Sequence, residues 1–146
     1  MVHLLDLGTP PQPHRYLESN VVAFVYTPAV AQLPGGTYDI AVTNSSDVDG
    51  LRNATVTVGL IPAVGRDQRV TLLINEVGVP ADQTPRAYTF PANPWPSDAG
   101  DTLDQIAFDV SAVVPGNYLL RVQVDGAVSL VETGPAGIFD SPSVTV

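Results

Sequence analysis

The chain contains no cysteine and no lysine. The first absence excludes disulfides, thiolate metal sites and cysteine nucleophiles. The second leaves arginine as the only strongly basic side chain, at Arg15, Arg52, Arg66, Arg69, Arg86 and Arg121. Histidine is almost as scarce: His3 and His14 both lie near the N-terminus, so a Ser-His-Asp arrangement would need one of them held against the rest of the chain. Their spacing, with Asp6 between them, matches no metal motif. Tryptophan occurs once, as Trp95. No apolar run approaches the ~18 residues of a membrane-spanning helix. The opening MVHLLDLGTPPQPHRY has no basic region ahead of its short apolar stretch, so it does not read as a secretory signal peptide. No membrane partner is expected.

What is present is acidic and apolar. Fifteen acidic residues against six basic ones give a net charge of −9, which repels polyanions and argues against a nucleic-acid partner. Hydrophobic residues make up 45% of the 146, enough for a packed core in one domain without staples. The 14 prolines and 12 glycines are scattered, nearly all singly, between apolar runs, where they act as punctuation between short strands.

Those runs alternate with a period of two, the mark of strands with one buried face. Tyr38, Ile40 and Val42 alternate with Asp39, Ala41 and Thr43. Val56, Val58 and Leu60 alternate with Thr55, Thr57 and Gly59. Val70 and Leu72 alternate with Arg69 and Thr71, and the run continues to Ile74. Tyr88 and Phe90 flank Thr89. Ile106, Phe108 and Val110 follow Leu103 with a bend near Gln105 that resets the register. Leu120, Val122 and Val124 alternate with Leu119, Arg121 and Gln123, and Val144 and Val146 close the chain. Turn chemistry separates them: Pro34-Gly35 suits a type II turn, and Asp125-Gly126 suits a hairpin. The expected fold is an all-β, immunoglobulin-like antiparallel β-sandwich of about seven to eight strands over residues 21–146. Residues 1–20 read as the end of a preceding module. A short strand is expected at Val2–Leu7, and Thr9–His14, with three prolines, is not expected to sustain a ladder.

Few residue groups suggest chemistry. Asp47-Val48-Asp49-Gly50 has the start of a calcium loop but lacks the downstream bidentate glutamate, so an acidic turn is the simpler reading. Asp98, Asp101 and Asp104 form a second acidic cluster, which reads as a solvated loop. Nothing selects a catalytic pair of carboxylates. Tyr118 follows Pro115-Gly116-Asn117 at the head of an apolar strand, where immunoglobulin-like folds carry a structural tyrosine whose hydroxyl bonds the backbone near the corner. Trp95 lies between Pro94 and Pro96 in the longest irregular stretch, with Tyr88 and Phe90 shortly before it. An aromatic in such a loop can stack on sugar faces, which makes Trp95, Tyr88 and Phe90 the candidate ligand-binding residues.

Several segments resemble a known family: Pro13–Arg15 followed by Glu18–Val25, then Asp67–Glu76, Pro115–Leu130 and Ser141–Val146 are similar, in order and spacing, to the C-terminal part of the DUF4255 (domain of unknown function 4255) proteins. That family includes the tube-capping protein of bacterial phage-tail-like contractile injection systems. The α/β domain that precedes the immunoglobulin-like modules in its longer members has no counterpart here. The resemblance implies a terminal structural module without catalytic residues, located in the cytoplasm or in such a particle, with protein partners that are injection-system components or further copies of the chain. No catalytic residue, metal site or cofactor is expected. The function expected is a non-enzymatic interaction or scaffold module, and the alternative is a stand-alone ligand- or carbohydrate-binding sandwich.

Overall fold

The computed structural model describes residues 25–146, together with the backbone of two short strands before them. Those strands, β1 (Leu4–Leu7) and β2 (Gln12–Arg15), form an antiparallel hairpin with Asp6 opposite Pro13. The expectation that Thr9–His14 makes no ladder is corrected over Gln12–His14. A strand paired on one side turns alternate N–H groups away from its partner, so a proline is accommodated at such a position. The expected sandwich start at Val21 and the side chains of His3 and His14 lie outside the described residues.

The remaining elements are β3 (Ala29–Val30), β4 (Ile40–Val48), β5 (Leu51–Gly65), β6 (Val70–Glu76), β7 (Ala87–Pro91), β8 (Thr102–Val113), β9 (Asn117–Val124), β10 (Ala127–Val128), β11 (Glu132–Thr133), β12 (Phe139–Ser141) and β13 (Ser143–Thr145). The chain is all-β, and the described residues contain no helix, hence none long and apolar enough to cross a membrane. Two antiparallel sheets carry the fold. In the first, β5 is central, with β8 along one edge and β4 and β3 both paired directly to it along the other. In the second, β6 and β9 are central, β7 flanks β6, and β10 and β13 share the far edge of β9. The chain changes sheet between β5 and β6, between β7 and β8, and between β8 and β9.

Period-two burial explains why these sheets face each other. Val56, Val58, Leu60, Ile106, Phe108 and Val110 point inward from the first sheet. Leu72, Ile74, Leu120, Val122, Val124 and Val144 point inward from the second, and all belong to one buried cluster. Two alternating strand sets with one apolar face each remove that surface from water only by stacking. The reset near Gln105 coincides with an irregularity of the ladder: β5 runs from Gly59 to Val64 while β8 moves only from Gln105 to Leu103, and the less exposed positions of β8 pass from Ile106 to Leu103 there.

The turns follow their residues. Asp49-Gly50 joins Val48 to the paired Leu51 with both φ angles positive, at 51° and 77°. Asp125-Gly126 does the same between Val124 and Ala127, at 48° and 93°. Both are two-residue hairpin turns of the mirror-image class, whose twist matches the strands. Pro34-Gly35 occupies the centre of a turn closed by Gly36 N–H to Leu33 O at 3.0 Å.

Two of these turns are pinned by carboxylates. Arg52 grips Asp47 with both ends of its guanidinium, at 2.7 and 3.0 Å, directly across the β4–β5 ladder. Asp125 accepts the Arg69 N–H at 2.9 Å and the Gln68 amide at 3.0 Å. The Arg52 bond holds the Asp47 carboxyl below its usual range, and the Arg69 backbone bond followed by Gln68 does so for Asp125. A carboxyl with a lowered folded pKa favours the fold while ionised. Its contribution is complete above the ordinary value of 3.8 and is lost as the pH falls through the folded value. Between pH 4 and 2 the melting temperature should therefore fall less steeply in an Asp47→Asn, Asp125→Asn double variant than in the parent. Parallel curves from a thermal melt series would show that neither contact is linked to folding.

Candidate functional site: a cleft beside Trp95

The segment after β7 does not leave the sandwich. Ala92 donates its N–H to Val70 O in the second sheet at 3.0 Å, and Asn93 donates to Ala107 O in the first at 2.8 Å. The Asn93 side-chain oxygen then accepts the Asp109 N–H at 2.9 Å. These three bonds stitch the sheets together along one side and occupy the outer edge of β8, which would otherwise present unpaired backbone groups.

Pro94, Trp95 and Pro96 follow at once. Trp95 is half-buried, packs against the core and closes its own loop by donating its indole N–H to Gly100 O at 3.0 Å. The Arg66 guanidinium lies over the indole, 5.4 Å from the ring centroid, and donates to Ala99 O at 2.7 Å and Gly100 O at 3.3 Å. Backbone support comes from Arg66 N–H to Asp101 O at 2.9 Å. Cation–π contact and two carbonyls thus hold an exposed arginine in one place.

Between this loop, the β5–β6 turn and the start of β8 lies a cleft of about 330 Å³, within the range of small-ligand sites. Its polar lining is Arg66, Gln68, Arg69, Asn93 and Gln105, and its apolar wall includes Pro94, Trp95, Pro96 and Leu103. No carboxylate lines it, in a chain with fifteen acidic residues. Arg52 and Arg86 are ion-paired with Asp47 and Glu76, and Arg121 donates to Asn75 at 2.7 Å. Arg66 and Arg69 form no ion pair with a described residue.

The structure divides the three aromatic candidates. Trp95 lines the cleft, but Tyr88 and Phe90 do not. Both pack against the core from the edge strand β7, stacked at 6.3 Å with an interplanar angle of 14°. Tyr88 meets Tyr118 edge-on at 5.8 Å and accepts the Val114 N–H at 3.3 Å. Tyr118 itself is fully buried, and its hydroxyl donates to Val114 O, four residues upstream. The sequence pointed to Trp95 but missed Arg66, Gln68, Asn93 and Gln105 as its neighbours; the available signal was two of the six arginines lying three positions apart. Asp98, Asp101 and Asp104 are exposed, and among the described residues no three metal-ligand side chains gather.

Residues 26–145 match a family described as Domain of unknown function (DUF8756). The chain belongs to that family. The match covers every strand from β3 to β13, including the loop and turn that build the cleft. It corrects the resemblance to DUF4255, to which nothing in the match connects the chain, and removes the injection-system reading that rested on it. The physical reason lies in the segments that carried the resemblance. Gly116-x-Tyr118-x-x-Arg121-Val122 is shaped by the corner bond of Tyr118 and by alternating burial along β9, which any sandwich of this build requires. No curated protein and no solved structure matches this DUF8756 chain.

Proposed function

We propose that this DUF8756 chain is a non-catalytic binding module on an immunoglobulin-like framework, with the cleft beside Trp95 as its ligand site. The carrying observation is the composition of that cleft. It holds two arginines, three amides, prolines and a tryptophan, and no histidine, carboxylate, hydroxyl, thiol or amine. A cleft so lined has groups to hold a ligand and none to act as nucleophile or general base. The framework reading draws support from the distribution of β5 to β9 over two sheets and from the Tyr118 corner bond.

Ligand screening by thermal shift, with Trp95→Ala and Arg69→Gln variants alongside, tests the reading. Stabilising ligands should lose their effect in the variants. The same protein should show no turnover on ester and glycoside substrate panels. Turnover at enzyme-like rates, or ligands whose binding ignores both variants, would displace this site as the functional one.

A further inference from the structure

We propose that the cleft takes a carboxylate-bearing saccharide, a uronic acid unit of an acidic glycan. This inference rests on the cleft being the binding site and adds the chemistry of its occupant.

The fold leaves several polar atoms of the cleft unused. Gln68 is tied at both ends of its amide: its oxygen accepts the Gly65 N–H at 2.8 Å and its nitrogen donates to Asp125 at 3.0 Å. Asn93 spends its oxygen on the Asp109 N–H, which leaves its NH₂ group. Gln105 spends its nitrogen on Asp39 at 3.1 Å, which leaves its oxygen. Arg66 uses one terminal nitrogen on the loop carbonyls, which leaves the other terminal nitrogen and Nε. The Arg69 guanidinium makes no hydrogen bond to a described residue; only its backbone N–H is used, by Asp125. The cleft therefore offers one free cationic fork on Arg69, single N–H donors on the fixed Arg66 guanidinium, a neutral donor on Asn93 and a neutral acceptor on Gln105.

Each part of a uronate finds a counterpart. Its carboxylate matches a guanidinium fork in shape and charge. Its hydroxyls both donate and accept, as Asn93 NH₂ and Gln105 oxygen require. Its C–H face suits the apolar wall of Pro94, Trp95 and Pro96. A neutral sugar would leave the guanidiniums without a charged partner, and a bare inorganic anion would leave the apolar wall and the amides unused. Arg66 is already fixed by Trp95 and two carbonyls, so little side-chain freedom is lost on binding.

Trp95 is the chain's only tryptophan, so its fluorescence reports this site directly. Titration of the full chain with tri-galacturonate at low salt should give a saturable change. Galactotriose should bind at least tenfold more weakly, and 0.5 M NaCl should weaken tri-galacturonate binding. Arg69→Gln removes an exposed side chain that has no described partner, so the fold should persist while tri-galacturonate binding falls at least tenfold. Arg66→Gln should do the same, with circular dichroism confirming its fold. Equal binding of galactotriose, or tri-galacturonate binding indifferent to Arg69→Gln, would overturn the carboxylate assignment and leave the binding module standing. A response only to inorganic phosphate or to an aspartate-rich peptide would overturn the saccharide. No response to any of these probes, in a protein whose thermal-shift screen also yields no cleft-dependent ligand, would remove the site itself.

Discussion

Tyr118→Phe should lower stability by about 1 kcal/mol, the usual net worth of a hydrogen bond, here to a part-buried carbonyl. The hydroxyl it removes is the one bonded to Val114 O, in a side chain with no exposed surface. Val114 is held from both sides, since its N–H goes to the Tyr88 hydroxyl. The corner between β8 and β9 is therefore built from two tyrosines, and losing one frees the turn that Gly116 closes against Val146 at 2.9 and 3.0 Å. Tyr118→Ala should cost more, about 3–5 kcal/mol, because it also empties the ring's place against Tyr88.

The same residue predicts an alkaline signature. Burial, then the neighbouring Tyr88 and Glu76, push the Tyr118 hydroxyl from 10.0 up to about 12. The neutral phenol is thus favoured in the fold. Its contribution is complete below 10.0, where the unfolded tyrosine is also neutral, and declines as the pH rises from 10.0 toward about 12. The slope in that window is about 1.4 kcal/mol per pH unit. Denaturant melts of the parent between pH 9 and 12 should show this decline, and Tyr118→Phe should lack its share of it. Equal slopes in the two proteins would mean that the hydroxyl is not sequestered.

Phe108→Ala should cost about 3–5 kcal/mol, seen as a lower urea midpoint with an unchanged slope. Phe108 is fully buried and sits across the ladder from Val56, itself fully buried, on the long β5–β8 strand pair of the first sheet. Its ring is the largest fully buried side chain of that sheet. The facing residues Leu72, Ile74, Leu120 and Val122 belong to the second sheet, whose backbone is tied by its own ladder and cannot collapse freely into the space. A cavity is therefore expected to remain. Phe108→Leu, which keeps most of the apolar volume, should cost much less. A loss below about 1 kcal/mol for the alanine variant would mean that the sheets close the gap by sliding.

Both effects concern residues whose inward direction was readable from alternation. Phe108 lies between Ile106 and Val110 with Ala107 and Asp109 interleaved, and Tyr118 lies two before Leu120 and four before Val122. Leu103 shows how local that rule is. It falls out of step with Ile106 at the place where the β5–β8 register breaks, between Gly59 and Val64, an event that the sequence of β8 registers only as a change of parity. Tyr88 and Phe90 show its other side. Alternation put them on one face together, but not which face, because β7 is an edge strand with neither face fully buried. Only the neighbouring β6 and the Tyr118 ring decide that they turn inward.

The sequence by itself determined the all-β character, the inward-facing sets of the principal strands, the Asp125-Gly126 hairpin and a turn at Asp49-Gly50. All of these depend on residues within a few positions of each other: side chains alternate every two residues, and positive φ is available to Asp-Gly locally. The cleft was decided only by the tertiary structure. Arg66, Trp95 and Gln105 come together because Ala92 and Asn93 spend their N–H groups on opposite sheets and draw the proline-rich loop across the side of the sandwich. Backbone bonds between distant strands leave no periodic trace in the chain. The neighbours of Trp95, and with them the charge of its site, therefore follow from how the two sheets are joined.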